Sequence, residues 1–133
     1  MIVVDTNIIT YFHLPTEFTT LAGKLYLQDP NWTAPFLWQS EFRNVLSLYV
    51  KKEIITHSDS LDYFEMAYTL LRGNEFSINA EKVLYLAKES GCSAYDCEFV
   101  SLAQELKVPL ITADRKVLKA FPNTAVSLKK FVK

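Results

Sequence analysis

The chain has 133 residues, half of them hydrophobic and only three of them glycine, with a formal net charge of -1 at pH 7. The length suits one domain over residues 1–133 with a substantial core, the composition excludes disorder, and the near-neutral charge gives no sign of a broad nucleic-acid surface. No apolar run approaches the length of a membrane span, and a strand begins at Ile2 with no basic leader before it, so we expect a cytoplasmic protein with no membrane partner.

Strand-like and helix-like segments alternate along the chain. The hydrophobic pattern predicts a strand over residues 1–5, helices over 7–13 and 16–28, and a short strand at "WTAPFL" (32–37). Four helices are predicted next, over 39–53, 58–73, 79–91 and 93–107. The strand "VPLITA" (108–113), a short helix to Phe121 and the strand "TAVSL" (124–128) complete the order. Short strands separated by helices predict an α/β fold with a mostly parallel sheet that helices cover on both faces.

Four acidic residues follow predicted strands or begin predicted helices. Asp5 follows the strand "IVV", and Asp114 follows the strand "PLITA". Glu41 lies in the predicted first turn of the helix after "APFLW", and Asp96 lies in the first turn of the helix "SAYDCEF". The carboxyl ends of parallel strands share one edge of a sheet, where the following helices also begin. These four carboxylates should therefore meet in one crevice.

Each of these acids also has a structural interpretation. Asp5 and Asp114 suit N-cap positions, and Glu41 could complement a helix dipole. Ser93 and Asp96 match the S-x-x-[DE] capping box. Helical phase weakens this interpretation for Asp96, which lies on the apolar side of its helix, where a cap needs no carboxylate. Four carboxylates in one crevice would repel one another unless protons or a cation neutralised them, and Mg²⁺ or Mn²⁺ is the natural occupant of such a site.

The chain does not contain the residue patterns of other common kinds of active site. His13 and His57 do not have the spacing of metal ligands, and Cys92 and Cys97 do not form the C-x-x-C pair of redox and zinc sites. We expect both cysteines to be small thiols in or near the core. No glycine-rich phosphate loop follows a strand, and no Ser-His-Asp arrangement is indicated. The acids are therefore the main functional signal.

Four sequence blocks together resemble a known family. They are "VVDTNII", "APFLWQSEFRNVL", "SAYDCEFVSLAQELKVPLITAD" and "RKVL", and they run through nearly the whole chain. Their order and approximate spacing resemble the PIN-domain ribonucleases and, within that family, the VapC-like toxins of type II toxin-antitoxin systems. The resemblance implies a three-layer α/β/α fold with a mostly parallel sheet of four to five strands.

The same resemblance implies a metal-dependent ribonuclease site. It assigns the catalytic and metal-binding positions to Asp5, Glu41, Asp96 and Asp114. It assigns supporting polar positions to Asn7 and Thr112, with Thr6 and Ser93 as further candidates. One or two Mg²⁺ or Mn²⁺ ions would activate water to hydrolyse an RNA phosphodiester, which would leave 5′-phosphate and 3′-hydroxyl ends.

The implied partners are RNA, an antitoxin protein and a second copy of the chain. We expect RNA to contact local basic residues despite the negative total charge, and the candidates are Arg43, Arg72, Arg115 and Lys116. The segments "IITYFHL" and "FRNVLSLYV" carry more apolar residues than one helix face can bury. This excess predicts a homodimer and a docked antitoxin peptide.

Three other functions remain open from the sequence. A PIN-like module could bind RNA or protein without cleaving it. A haloacid-dehalogenase-like phosphatase also places an aspartate after its first strand, but it needs an acid two residues later, where this chain has Asn7. A structure-specific DNA nuclease would usually need a longer chain. The presence of all four acids favours the ribonuclease.

Overall fold

A parallel sheet of five short strands forms the middle layer of the protein. The structure is a computed structural model, and it describes residues 1–133. The strands are β1 (Ile2–Val4), β2 (Trp32–Pro35), β3 (Glu75–Phe76), β4 (Leu110–Thr112) and β5 (Ala125–Ser127). The helices are α1 (Thr6–His13), α2 (Thr19–Gln28), α3 (Leu37–Lys51), α4 (His57–Leu71), α5 (Ala80–Ser90), α6 (Ala94–Leu106), α7 (Arg115–Ala120) and α8 (Leu128–Phe131).

The order of the strands in the sheet, β3-β2-β1-β4-β5, determines where a ligand can bind. The chain builds the sheet from β1 outward to β3 and then returns to the other side of β1 to add β4 and β5. Ile2 pairs with Trp32 on one side of β1, and Val4 pairs with Ile111 on the other. The strand order therefore reverses between β1 and β4. Ligands of open α/β sheets bind at such a switch point, beyond the carboxyl ends of the strands.

Helices cover both faces of the sheet. α6 packs against β1, β2 and β4, with α5 packed on α6, whereas α1, α3 and α4 pack against one another. Right-handed crossovers place the helices between β1 and β3 on one face and those between β3 and β5 on the other. The predicted three-layer α/β/α fold with a parallel sheet is confirmed.

The strands are buried because helices cover both of their sides. Every residue of β1, β2 and β4 is buried. Trp32, Trp38 and Phe42 are the largest of the fully buried side chains, and all the buried hydrophobic residues except Ala22 form one contiguous cluster. Cys92 and Cys97 belong to this cluster as free thiols, as predicted.

β3 is a strand that the sequence analysis did not predict. It has only two residues and pairs in parallel with β2. The Glu75 carboxylate accepts hydrogen bonds from Trp38 Nε1 at 2.7 Å and from Gln39 Nε2 at 2.6 Å. Contacts with residues nearly forty positions away therefore hold β3 in place, and no local pattern encodes them.

One helix begins later than predicted, and another, α8, was not predicted at all. α2 begins at Thr19 rather than at residue 16, because the Thr19 hydroxyl accepts a hydrogen bond from the Thr16 N–H and holds the preceding segment as a turn. α8 begins at Leu128, inside the predicted last strand, because Ser127 accepts a capping bond from the Lys130 N–H.

α3 begins at Leu37, two residues earlier than predicted, and β2 ends earlier, at Pro35. Proline has no N–H with which to continue a ladder, so the strand stops there. Glu41 consequently lies in the second turn of α3, and the prediction that it lies in the first turn is wrong. The helix-dipole interpretation of Glu41 loses its basis, because that effect falls off within the first turn.

The apolar residues of α1 and α3 are less exposed than predicted. Ile8 and Ile9 are fully buried, and Tyr11 and Phe12 are partly covered by neighbouring elements. On α3 the only large hydrophobic residue that is exposed is Leu48, at 43%. Most of the apolar side chains from which a homodimer and a docked peptide were predicted are therefore buried inside the protein. None of the helices combines the length and apolarity needed to cross a membrane.

Candidate metal centre

The four predicted acids line one crevice at the switch point of the sheet. Asp5 follows β1 and Asp114 follows β4, while Glu41 comes from α3 and Asp96 from α6. Three apolar side chains complete the walls, those of Phe99, Leu110 and Val117. The crevice has a volume of about 80 Å³. That volume accommodates an ion with one or two waters, since each water occupies about 30 Å³ in the liquid.

Asp5 is held by hydrogen bonds to both of its carboxylate oxygens. Its Oδ1 accepts from the Ile8 N–H at 3.1 Å, which makes Asp5 the N-cap of α1. Its Oδ2 accepts from the Thr112 hydroxyl at the end of β4. The same Thr112 oxygen accepts from the Asp114 N–H at 3.0 Å. One buried threonine therefore ties together the ends of β1 and β4.

Thr6 and Glu41 form a second hydrogen-bonded pair. Thr6 is buried in the first turn of α1, and its hydroxyl donates to Glu41 Oε1 at 2.7 Å. The bond orients the carboxylate and leaves its other oxygen without a partner in the chain. Asn7 is exposed, and although it lines the crevice, its side-chain amide makes no hydrogen bond within the chain.

Asp96 lies in the first turn of α6 but does not cap that helix. Ser93 is the N-cap, and its hydroxyl accepts from the Asp96 N–H at 3.0 Å. The reciprocal bond of a capping box, from the Ser93 N–H to the Asp96 carboxylate, is not formed, whereas Thr56 and Asp59 of α4 form both bonds. The Asp96 carboxylate lines the crevice instead, and Ser93 does not line it.

Burial and mutual repulsion raise the pKa values of three of the acids. The pKa of Asp5 rises from 3.8 to about 6, chiefly because burial disfavours its charge, and the charges of Asp114 and Glu41 add to the rise. Burial also raises the pKa of Glu41, with a further contribution from Asp96. Burial and then the Asp114 charge raise the pKa of Asp96, while nearby Lys116 lowers it. A cation would favour the charged forms, so the crevice has the electrostatics of a cation site.

The donor atoms suit a hard divalent cation. Mg²⁺ and Mn²⁺ prefer carboxylate oxygens, and the crevice offers four carboxylates. No three histidine, cysteine or acidic side chains already lie close enough together to form a ligand cluster. Like charges repel one another when no cation lies between them, so an ion would have to draw these side chains inward.

The four predicted basic residues are not gathered at the crevice. Lys116 of α7 is close enough to Asp96 to lower its pKa, and Arg115 lines a neighbouring pocket. Arg43 lies over an aromatic ring of α4, in the groove between α3 and α4. Arg72 ends α4 near the start of β3, at the edge of the sheet opposite the acids. Arg115 and Lys116 are therefore the two of these residues that the structure places beside the crevice.

Two residues near the acids were missed by the sequence analysis. Glu98 of α6 is partly buried, and burial followed by the Glu41 charge raises its pKa. Burial followed by the Asp5 charge raises the pKa of Tyr11 of α1. Glu98 is two positions from Asp96 and so lies on another side of the helix, and only helix packing brings it near Glu41. Tyr11 lies on the helix that Asp5 caps, but its segment "IITYFHL" was considered only for partner binding.

Comparisons with known proteins agree with this geometry. The family model for the PIN domain matches residues 2–123. Ribonuclease VapC3 from Pyrobaculum aerophilum is 23% identical to this chain over 124 residues, which cover 91% of this chain and 95% of that protein. The residues matched by the family model include all four acids.

Solved structures share the fold over almost their whole length. The crystal structure of PAE2754 from Pyrobaculum aerophilum has a TM-score of 0.79 at 16% identity, covering 98% of this chain and 92% of that chain. A toxin-antitoxin complex from Klebsiella pneumoniae has a TM-score of 0.68 at 21% identity, covering 96% of this chain and 98% of that chain. The resemblance drawn from the four sequence blocks is confirmed, because the family model spans every strand of the sheet except β5: this chain belongs to the PIN domain family.

Proposed function

We propose that this protein is a Mg²⁺- or Mn²⁺-dependent endoribonuclease and the toxin of a toxin-antitoxin pair. The observation that carries the proposal is the crevice lined by Asp5, Glu41, Asp96 and Asp114 at the switch point of the sheet. Similarity to a protein named Ribonuclease VapC3 supports RNA as the substrate. A ribonuclease toxin acts where the RNA is, so we also propose a cytoplasmic location.

Hydrolysis requires a water oxygen to bond to phosphorus while the bond from phosphorus to the 3′ oxygen breaks. Asp5, Asp96 and Asp114 would hold the cation. When bound, the cation supplies a water of lowered pKa and neutralises charge on the phosphate. One proton of the attacking water passes to a base, and the departing 3′ oxygen takes up a proton. The products have 5′-phosphate and 3′-hydroxyl ends.

Glu41 is the candidate proton acceptor, although it could also bind the cation. Its orientation is set by the Thr6 hydroxyl, and burial raises its pKa toward the range in which a general base works at neutral pH. Thr112 joins the Asp5 carboxylate to the Asp114 backbone, so these two acids keep a constant relative position. Such fixed positions contribute to catalysis because the reacting groups need no further ordering.

Asp96→Asn tests the proposal, with Asp59→Asn as the matched control. Both acids lie in the first turn of a long helix, each three residues after its N-cap, but only Asp96 lines the crevice. In chelator, Asp96→Asn should be as stable as the parent or more stable, because repulsion in the crevice is relieved. Mn²⁺ should raise the melting temperature of the parent by mass action and that of Asp96→Asn less. Cleavage of RNA by Asp96→Asn should fall by orders of magnitude.

The control variant separates a metal role from a helix role. Asp59→Asn should lose a little stability with its capping box and should keep both the full response to Mn²⁺ and the full cleavage rate. If the two variants gain equally from Mn²⁺ and cleave RNA equally, Asp96 acts only in its helix and the assignment of the metal site is wrong.

A module that binds RNA or protein without cleaving it is the second candidate. Grooves with apolar walls between α3 and α4 and beside α1 favour this alternative, since they suit a protein partner whether or not RNA is cleaved. Generic RNA incubated with Mn²⁺ or with EDTA decides between the two. Cleavage in Mn²⁺ alone supports the nuclease, and intact RNA in both samples supports the binding module.

We also propose an antitoxin protein and a second copy of the chain as partners. A structural neighbour of this chain is a toxin-antitoxin complex, which supports the first of them. Two grooves with apolar walls are available on the helical face that contains α1 to α4. One lies between α3 and α4, and the other lies beside α1, α2 and α4.

A further inference from the structure

A second pocket adjoins the acidic crevice at the end of β4. Its volume is about 320 Å³, at the lower end of the range of roughly 300 to 1,000 Å³ that is usual for small-ligand pockets. Thr112 lines both cavities. Ala113 and Arg115, the neighbours of the crevice residue Asp114, line the second pocket. A ligand that extends from the crevice along this edge would enter the second pocket next.

Aromatic and aliphatic side chains form the walls of this second pocket, here called the Tyr11–Phe18 pocket. The Tyr11 and Phe18 rings lie 4.8 Å apart between centroids with an interplanar angle of 42°, and Phe18 is 39% exposed. Leu21 and Leu118 supply aliphatic walls. An open, partly aromatic cleft suits a flat ring, because unpaired bases of single-stranded RNA stack on aromatic side chains.

Two basic side chains lie beside these apolar walls. Arg115 and Lys129 both line the Tyr11–Phe18 pocket and are exposed. The only ion pair in the chain joins the N-terminus to Asp29, so neither cation is neutralised by an acid of the protein. The pocket therefore presents positive charge directly beside a crevice that presents four carboxylates.

The combination of charge and aromatic walls favours a nucleotide chain over a protein partner. A basic peptide would be attracted by the acidic crevice but repelled by Arg115 and Lys129. An acidic peptide would meet these two side chains and a cation in the crevice, but it does not carry a flat ring beside every negative charge, as a nucleotide chain does. An RNA strand satisfies both cavities when a divalent cation is bound in the crevice, because one phosphate meets the cation while a neighbouring base and phosphate meet the ring pair and the basic side chains.

We propose that the Tyr11–Phe18 pocket binds one base of single-stranded RNA beside the scissile phosphate, with Arg115 and Lys129 pairing with the adjacent phosphates. The proposal rests on the proposed function, and it adds a residue set that determines which RNA positions are cut. A base can enter the pocket only when it is unpaired. The enzyme should therefore prefer single-stranded RNA, with a base preference at one fixed position relative to the cut.

Abasic scanning tests the pocket by a binding measurement. The measurements use Asp96→Asn as the common background, at an Mn²⁺ concentration that saturates its melting-temperature response so that the weakened crevice still holds the cation. Slow cleavage by this variant keeps a fluorescent RNA oligonucleotide intact during an anisotropy titration. A single abasic position is moved along the oligonucleotide. One position should weaken binding about tenfold, the size expected for the loss of one stacked base. Phe18→Ala should weaken binding of intact RNA by a similar factor. In this variant the abasic position should reduce RNA affinity little further, since the effects of two groups in contact are not additive.

Two matched controls separate the pocket from general surface effects. Tyr68→Ala removes an aromatic side chain of α4 that is 37% exposed and lies outside the pocket, and it should leave RNA binding unchanged. Lys129→Gln should lower the slope of log affinity against log salt by about 0.7, the value for one phosphate contact with a single strand. Lys52→Gln, at the far end of α3, should leave the slope unchanged. Melting curves confirm that each variant is folded.

The outcomes distinguish failure of the pocket from failure of the nuclease. A flat abasic scan, or equal RNA binding by Phe18→Ala and Tyr68→Ala, would overturn the pocket and would leave a protein as the occupant to consider. If the parent still cleaves RNA with Mn²⁺ in that case, only the pocket is wrong. Coupling between Phe18 and one base in a protein that never cleaves RNA would support the pocket and refute the nuclease.

Discussion

Asp5→Asn should stabilise the metal-free protein at neutral pH, although Asp5 is hydrogen-bonded to both α1 and β4. The folded pKa of about 6 exceeds the ordinary value of 3.8, so the charged carboxylate costs about 3 kcal/mol of stability near pH 7.5. Asparagine carries no charge, and its Oδ1 can still accept from the Ile8 N–H. The bond from Thr112 is lost or weakened, which costs about 1 kcal/mol. A net gain of about 2 kcal/mol is expected.

The sign of the pH dependence separates this effect from a simple change of helix cap. Because the folded pKa of Asp5 is raised, the cost is absent at low pH and grows as the pH rises from 3.8 through about 6. Near pH 4.5 only about 1 kcal/mol of that cost remains, so the advantage of Asp5→Asn should shrink by about 2 kcal/mol. Burial lowers the pKa of His13 to about 4, which makes acid destabilise both proteins. That contribution cancels when variant and parent are compared at the same pH.

Urea unfolding in EDTA at the two pH values measures both differences. Asp62→Asn, which changes an exposed acid of α4, is the control and should alter the free energy of unfolding by less than about 0.5 kcal/mol at either pH. If Asp5→Asn destabilises the protein by the same amount at both pH values, Asp5 is only a helix cap. The inference that its buried charge opposes folding would then be refuted.

Three further predictions concern acid sensitivity, RNA and assembly. His13→Phe should raise the free energy of unfolding by about 2 kcal/mol near pH 5. The pKa of His13 in the folded protein is lowered to about 4, so stability is lost as the pH falls below 6.5, and neither ring nitrogen has a hydrogen-bond partner. If His13→Phe and the parent unfold at the same acidic pH, this prediction is wrong. RNA affinity should fall as the salt concentration rises, because basic side chains such as Arg115 and Lys116 contact the phosphates. Binding that does not depend on salt would refute this prediction. Light scattering should find a homodimer, and a monomer throughout micromolar concentrations would count against one.

The position of the acids could be predicted because it depends on short-range patterns and one rule of topology. Asp5 and Asp114 each follow an apolar strand directly, and Asp96 follows a recognisable N-cap, Ser93. These patterns place the residues at strand ends and helix starts. The reversal of strand order beside β1 then brings those ends together, as it does in other open α/β sheets. No knowledge of distant contacts was needed.

Other parts of the site depend on contacts that a single sequence does not contain. β3 exists because the Glu75 carboxylate bonds to two residues of α3, and Glu98 approaches Glu41 only through the packing of α6 against the site. The Tyr11–Phe18 pocket combines α1, α2, α7 and the last strand, which are separated by up to a hundred residues or more. The start of α3 was misplaced because Pro35 ends β2 before the apolar run does.

Capping and metal binding are compatible roles for Asp5 and Asp114. Each uses Oδ1 to accept from a helix N–H, that of Ile8 at 3.1 Å and that of Val117 at 3.0 Å. The helix start thus orients the carboxylate and places partial positive charge beside it, which offsets part of the repulsion among the acids. Oδ2 of Asp114 makes no hydrogen bond within the chain, whereas Oδ2 of Asp5 is shared with Thr112. Alanine at either position would remove cap and charge together. Only asparagine, which keeps the capping oxygen, separates the stability of the helix from the affinity of the crevice for a cation.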